Sequence, residues 1–182
     1  MPVNVAVLVG SLRAGSFNRS VADAIAELAA PKLALKRIEI GDLPFYNEDQ
    51  EKNPPEQWLR FREEIRAVQA VLFVTPEYNR SVPAALKNAI DVGSRPYGQS
   101  VWDGKPAGVI SASPGLIGGF GANHHLRQSL VFLNMPVLQQ PEMYLSKING
   151  AIDDHGRLTD ENVRSFLAKF VDAYADWIAR TG

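Results

Sequence analysis

Seven residues near the start of the chain, Val3–Val9, leave few architectures open. They are almost all β-branched or small, with little polar alternation. A strand that faces water on one side alternates, so a run of this length with one polar residue, Asn4, reads as a strand buried on both faces of a parallel sheet. The run ends in Gly10-Ser11. After a polar loop, Val21, Ile25 and Leu28 recur at helical spacing, Pro31 stops that helix, and Leu33–Ile40 alternates as a second, more exposed strand. The chain therefore opens as strand, loop, helix, strand.

The pattern repeats to the end. Trp58, Phe61, Ile65 and Val68 mark a helix face after the turn-like Asn53-Pro54-Pro55, and Ala70-Val71-Leu72-Phe73-Val74 is a third buried strand. Pro83 suits an early helix position, and Leu86 and Ile90 carry that helix to Gly93. Ala107–Ala112 reads as a fourth strand, a glycine-rich loop leads to a helix with Leu126, Leu130 and Leu133, and Val137-Leu138 begins a short fifth strand. The last helix has Thr159 as its N-cap, Asp160 and Glu161 in its first turn, and an apolar stripe at Val163, Phe166, Leu167, Phe170, Tyr174 and Trp177. With no repeat, linker or low-complexity stretch, residues 1–182 read as a single doubly wound α/β domain. In such sheets the ligand sits beyond the carboxyl ends of the strands. Loops 10–18, 75–82 and 111–121 are therefore expected to converge on one site.

Composition narrows the chemistry. Nineteen basic and twenty acidic residues leave a formal charge of −1, with no net field to hold a nucleic acid through its phosphates. The absence of cysteine removes disulfides, thiolate metal sites, iron–sulfur ligation and a thiol nucleophile together. Redox chemistry here needs a bound cofactor. The N-terminus carries no basic leader and no apolar run long enough to span a membrane, which reads as a cytoplasmic protein.

Loop 10–18, Gly-Ser-Leu-Arg-Ala-Gly-Ser-Phe-Asn, runs from a buried strand into a helix N-terminus. Free amides and the helix dipole favour an anion there, Ser11, Ser16 and Asn18 add neutral donors, and Arg13 adds a fork for phosphate oxygens. The loop suits a phosphate monoester. It is neither a dinucleotide fingerprint nor a triphosphate loop, since G-x-G-x-x-G is absent and Ser16 stands where the latter requires lysine. The plainer alternative is helix capping without a ligand. Loop 75–82, Thr-Pro-Glu-Tyr-Asn-Arg-Ser-Val, has Pro76 for stiffness, a planar face at Tyr78, and amides from Glu77 to Asn79 able to meet a planar heterocycle; an ordinary β–α turn is the alternative.

Taken together, Gly10-Ser11-x-Arg13-x-Gly15-Ser16-x-Asn18 and Thr75-Pro76-Glu77-Tyr78-Asn79-x-Ser81-x-Pro83-x-x-Leu86-Lys87-Asn88-Ala89-Ile90-Asp91 resemble the NAD(P)H-dependent FMN reductase family, which includes quinone and chromate reductases. The resemblance extends through His125-Leu126-Arg127-Gln128 to Pro141-Glu142. It implies a flavodoxin-like fold with a five-stranded parallel sheet in the order 2-1-3-4-5, noncovalent FMN, and NADH or NADPH as electron donor. By position, Ser11, Arg13, Ser16, Phe17 and Asn18 would hold the phosphate and ribityl end. Pro76, Glu77, Tyr78 and Asn79 would follow the isoalloxazine, with Ser113 and Gly115 on the opposite side. Arg80 departs from the family pattern, and Arg95 sits in a Ser-Arg pair that the family often carries; both are candidates for nucleotide or substrate contact. Tyr97 and Trp102 are candidates for the pocket wall or for interface packing.

The implied activity is a ping-pong transfer of hydride from NAD(P)H to flavin and then to quinones, with chromate, ferric chelates, azo compounds and free flavin as further acceptors. No side-chain nucleophile is required, so the catalytic set is empty of such groups. The rival reading is a flavodoxin-like electron carrier or flavin-binding module, which the near-neutral balance disfavours because carriers dock through charged faces. No metal is expected: His124 and His125 diverge by about 100° on a helix. The stretch 47–57 reads as a solvated loop. The resemblance implies a homodimer, to which the apolar Leu130–Leu133 is suited. A tetramer is permitted, but beside Glu142 the residues Gly121 and His124 replace the charged and phenolic partners through which family tetramers form.

Overall fold

The computed structural model describes residues 2–182. In chain order the elements are β1 (Val3–Val9), α1 (Phe17–Ala29), β2 (Leu33–Arg37), α2 (Glu56–Arg66), β3 (Ala70–Thr75), α3 (Ala84–Gly93), β4 (Ala107–Ala112), α4 (Phe120–Phe132), β5 (Met143–Leu145) and α5 (Glu161–Thr181). The five strands form one sheet in the order β2-β1-β3-β4-β5, and every pairing is parallel, with Val5 opposite Ala70, Phe73 opposite Val109 and Ile110 opposite Met143.

The predominantly apolar runs have a direct cause. Successive strand residues point to opposite faces, and both faces are covered. Val5, Val7, Val9, Leu72 and Val74 pack with Ile25 of α1 and with Phe170 and Tyr174 of α5. Ala6, Leu8, Val71 and Phe73 pack with Phe61 and Ile65 of α2, Leu86 of α3 and Leu126 of α4 on the other side. Doubly wound order puts the switch point between β1 and β3, where the connections leave toward opposite faces.

Four expectations need correction. The second strand is shorter than 33–40, because after Arg37 the chain turns inward and buries Ile38 and Ile40 beneath the α2 face. Val137 makes one isolated bridge, to Ala107, and Pro136 and Leu138 exchange hydrogen bonds with Ala107 there; the fifth strand is Met143–Leu145, beside the far half of β4. Asp160, not Thr159, caps α5: its carboxylate accepts from the amides of Asn162 and Val163 at 2.9 and 3.0 Å, while the Thr159 hydroxyl donates to the Ala151 carbonyl. Trp102 is fully buried against α3, its indole N–H donating to the Ile90 carbonyl at 2.9 Å, so it belongs to the core and not to a pocket wall.

Candidate functional site

The three loops at the carboxyl ends of β1, β3 and β4 do meet. Gly10 lies so close to β3 that a Cβ would come 3.1 Å from Thr75 Oγ1 and 3.3 Å from Pro76 Cδ, which is why the strand ends on glycine. Asn18, in the first turn of α1, reaches across to β4 and donates from Nδ2 to the Ala112 carbonyl at 3.2 Å. Glu77 spans the remaining gap: its Oε2 accepts from the amide of Ala122 at 3.0 Å, in the first turn of α4.

In loop 10–18 the capping alternative holds in part. Ser16 is the N-cap of α1 and accepts from the Arg19 amide at 3.3 Å. The amides of Phe17 and Asn18, ahead of the capped one, have no protein acceptor among the described residues. Arg13 curls back over the loop, donates to the Gly15 carbonyl and lays its guanidinium 4.7 Å from the Phe17 ring centroid. A delocalised cation is thereby held beside the positive end of α1. Asn18 goes beyond capping. It is 3% exposed, and its Oδ1 has no hydrogen-bond partner. A buried carbonyl oxygen left without a donor costs about 1–3 kcal/mol. The atom calls for a ligand hydroxyl or amine, and a phosphate, which only accepts, does not satisfy it. A phosphorylated polyol chain fits both features: its anion at the helix terminus and Arg13, its hydroxyls at Asn18.

Loop 75–82 is a tight reversal. Tyr78 and Ser81 exchange backbone hydrogen bonds at 3.1 and 2.9 Å, and the two residues between them, Asn79 and Arg80, both have positive φ, 51° and 64°. This is the geometry of a type I′ turn. It corrects one expectation: the Tyr78 amide is spent on Ser81, so only those of Glu77 and Asn79 are without a protein acceptor among the described residues. Tyr78 itself is exposed. Arg80 pairs with Glu77 Oε1 at 3.1 Å and is not among the residues lining the neighbouring cleft. Glu77 therefore serves both the turn and the start of α4. Glu77→Ala is expected to cost about 1–2 kcal/mol, whereas Glu77→Gln, which keeps an acceptor, recovers most of it; thermal unfolding of the two variants checks this. Across the site, Ser113 Oγ accepts from the Gly115 amide at 3.0 Å, shaping the loop after β4.

Beside loop 75–82 an open cleft of about 1040 Å³ runs between α3, α4 and the 94–103 loop. Arg95 and Tyr97 line it. Tyr46, which sequence reasoning missed, forms another wall. Its amide donates to Asn88 Oδ1 at 2.8 Å, its ring stacks on Trp58 at 5.5 Å, and its hydroxyl donates to Glu51 Oε1 at 2.6 Å. The guanidinium of Arg95 lies 5.9 Å from the Tyr46 centroid. Glu51 thus has a partner, and the stretch 47–57 is not merely a solvated loop. The only sequence signal was an aromatic residue beside a charge run. Burial and then the Glu51 bond push the Tyr46 phenol up to about 12 from 10.0. The unfolded chain releases this proton first, so its contribution to stability is intact below pH 10 and lost as pH rises toward 12. A phenolate absorbance titration is expected to lose a late-ionising group in Tyr46→Phe.

Neighbouring histidines diverge, as their spacing requires. His124 Nε2 lies 2.8 Å from the Tyr144 hydroxyl and its ring 4.2 Å from that of Phe120, whereas His125 Nδ1 lies 2.9 Å from Ser81 Oγ. Among the described residues, no three histidine or acidic side chains converge as a metal site would require.

Similar arrangements are known. The model of the NADPH-dependent FMN reductase family matches residues 3–150, which include all three loops. A quinone reductase of Pseudomonas putida is 65% identical over 96% of this chain and 94% of its own. A 2-hydroxy-1,4-benzoquinone reductase of a Burkholderia species is 44% identical over 98% of this chain and 97% of its own. Among solved structures, the flavoenzyme NAD(P)H:(acceptor) oxidoreductase of Paracoccus denitrificans superposes with a TM-score of 0.93 at 44% identity, covering 99% of both chains. A match that spans the sheet and every loop at its carboxyl edge leaves no separate origin for either, and this chain belongs to the NADPH-dependent FMN reductase family.

Proposed function

We propose that this chain is an FMN-dependent NAD(P)H:acceptor oxidoreductase that reduces quinones. Membership of the family and the quinone-reducing relatives support the activity. The observation that carries the cofactor is the buried, donorless Oδ1 of Asn18 beside a free helix terminus.

Bound here, FMN supplies a centre that takes a hydride from NADH or NADPH and gives two electrons to a second substrate. The residues supply position and field. Arg13, Ser11, Ser16 and the first amides of α1 hold the phosphate, with Phe17 as the platform on which the Arg13 guanidinium rests. Asn18 Oδ1 would accept from a ribityl hydroxyl. Pro76, Glu77, Tyr78 and Asn79 would hold the isoalloxazine on one side, with the two unspent amides available to it, and Ser113 and Gly115 would hold it on the other. The cleft beside them receives nucleotide and acceptor in turn, which is a ping-pong exchange. Arg95, stacked on Tyr46 with no carboxylate partner among the described residues, offers its fork to a nucleotide phosphate or an anionic acceptor. Arg80, paired with Glu77, stands at the turn outside the cleft lining.

Val131 and Phe132 stand outward on α4, 72% and 89% exposed, beside this cleft. An apolar pair of this size is covered in a working assembly, and a homodimer through α4 covers it; a dimer of dimers would use the face around His124, Tyr144 and Glu142. No described helix is long and apolar enough to cross a membrane, and the small diffusible reductant belongs to the cytoplasm, where the protein would act. Initial rates over a grid of NADH and benzoquinone concentrations test the exchange. Parallel double-reciprocal lines are expected, and intersecting lines would refute it.

A further inference from the structure

We propose that His125 is the proton donor to the acceptor during quinone reduction, and that Ser81 is the positioning residue that sets which of its nitrogens gives up the proton. This rests on the reading of the protein as a quinone reductase and adds a group to it.

The product needs a second proton. A quinone that receives a hydride equivalent, two electrons and one proton, becomes a hydroquinone monoanion, and one further proton completes the product. A group beside the emerging oxyanion speeds the step. His125 and Ser81 both line the cleft next to the tight turn at 78–81. His125 Nδ1 is 2.9 Å from Ser81 Oγ, and its Nε2 has no hydrogen-bond partner among the described residues. The adjacent His124 is engaged elsewhere, with Tyr144. In the imidazolium form, Nδ1–H donates to Ser81 Oγ, and Nε2–H points away from Ser81. When the Nε2–H bond breaks and an O–H bond forms on the hydroquinone oxygen, the remaining imidazole is neutral with its proton held on Nδ1 by Ser81. Water then returns a proton to Nε2. Electrons and protons balance with no further reductant.

Several charged groups stand near His125 on the elements that border the cleft. Lys87 and Asp91 on α3 pair at 2.7 Å, Arg95 and Asp103 flank the 94–103 loop, and Glu77 pairs with Arg80 at the turn. On α4 itself, Arg127 turns inward to Asn123 and the Leu138 carbonyl.

Two measurements test this. In the first, the FMN-loaded protein and His125→Gln are assayed from pH 5 to 9 with benzoquinone and with ferricyanide, a one-electron acceptor that needs no proton. The ratio of quinone to ferricyanide turnover is expected to fall at least about tenfold in the variant, and the decline of wild-type quinone turnover with rising pH is expected to flatten. An unchanged ratio, or an unchanged pH profile, would overturn the proposal. In the second, nitrogen-15 NMR of the imidazole reads the neutral tautomer without any turnover. Wild type is expected as Nδ1–H and Ser81→Ala as the commoner Nε2–H form; wild type as Nε2–H would overturn the role of Ser81. Loss of reduction of both acceptors by wild type would instead refute the quinone-reductase reading, leaving the tautomer result readable.

Discussion

Gly118→Ala is expected to lower stability by about 3 kcal/mol, combining a left-handed backbone penalty of about 1–2 kcal/mol with forced displacement. Gly118 has φ +58°, and a Cβ there would stand 2.6 Å from the Tyr144 carbonyl carbon and 3.0 Å from the Leu145 amide nitrogen. Those are backbone atoms of β5, a three-residue strand paired with β4 on one side and tied to α4 by the Asn123 side chain, which donates to the Met143 carbonyl at 3.3 Å. Neither side has a flexible tip to give way. For a domain of this size the melting temperature is expected to fall by about 6–12 °C. Gly150→Ala is the control, since nothing lies within 4 Å of the added carbon; it is expected to stay within about 0.5 kcal/mol of wild type. Equal melting temperatures for the two variants would mean that the 113–119 loop does not press on the edge strand as described.

Arg13→Ala is expected to have the largest effect on the cofactor. A hydrogen-bonded charge on a phosphate is worth about 2–3 kcal/mol, so FMN affinity is expected to drop about 30- to 150-fold. Riboflavin, which lacks the phosphate, is expected to change less than about threefold. Arg13 is exposed and its contacts are local to its loop, so the fold is not at stake. Flavin fluorescence quenching measures both affinities. An equal loss for the two flavins would place Arg13 away from the phosphate.

Much of the architecture was legible because burial on both faces writes itself into strand composition. The apolar runs of β1, β3 and β4 located the sheet, and Asp160 missed the cap position by a single residue. The edge strand was not legible for a physical reason. Val137-Leu138 has strand composition and does touch the start of β4, but the chain then reaches Pro141, which has no amide to donate to a ladder, and pairing resumes only at Met143. Register, not composition, decides such an edge. At the site, loop 10–18 announced an anion through its serines and arginine. That Asn18 spends its amide on Ala112 and keeps its oxygen depends on a contact 94 residues away. Tyr46 and Glu51 were hidden for the same reason: their partners Asn88, Trp58 and Arg95 come from α3, α2 and the 94–103 loop. Trp102 stands in the loop that borders the cleft, but Gly93 leaves room for its indole inside; a Cβ there would lie 2.5 Å from the ring.

The most direct test is anaerobic spectroscopy of the FMN-loaded protein. Addition of NADH or NADPH is expected to bleach the flavin absorbance, and one equivalent of benzoquinone is expected to restore it with formation of hydroquinone. A flavin that stays oxidised with either nucleotide, or that stays reduced when quinone is added, would contradict an NAD(P)H:quinone oxidoreductase.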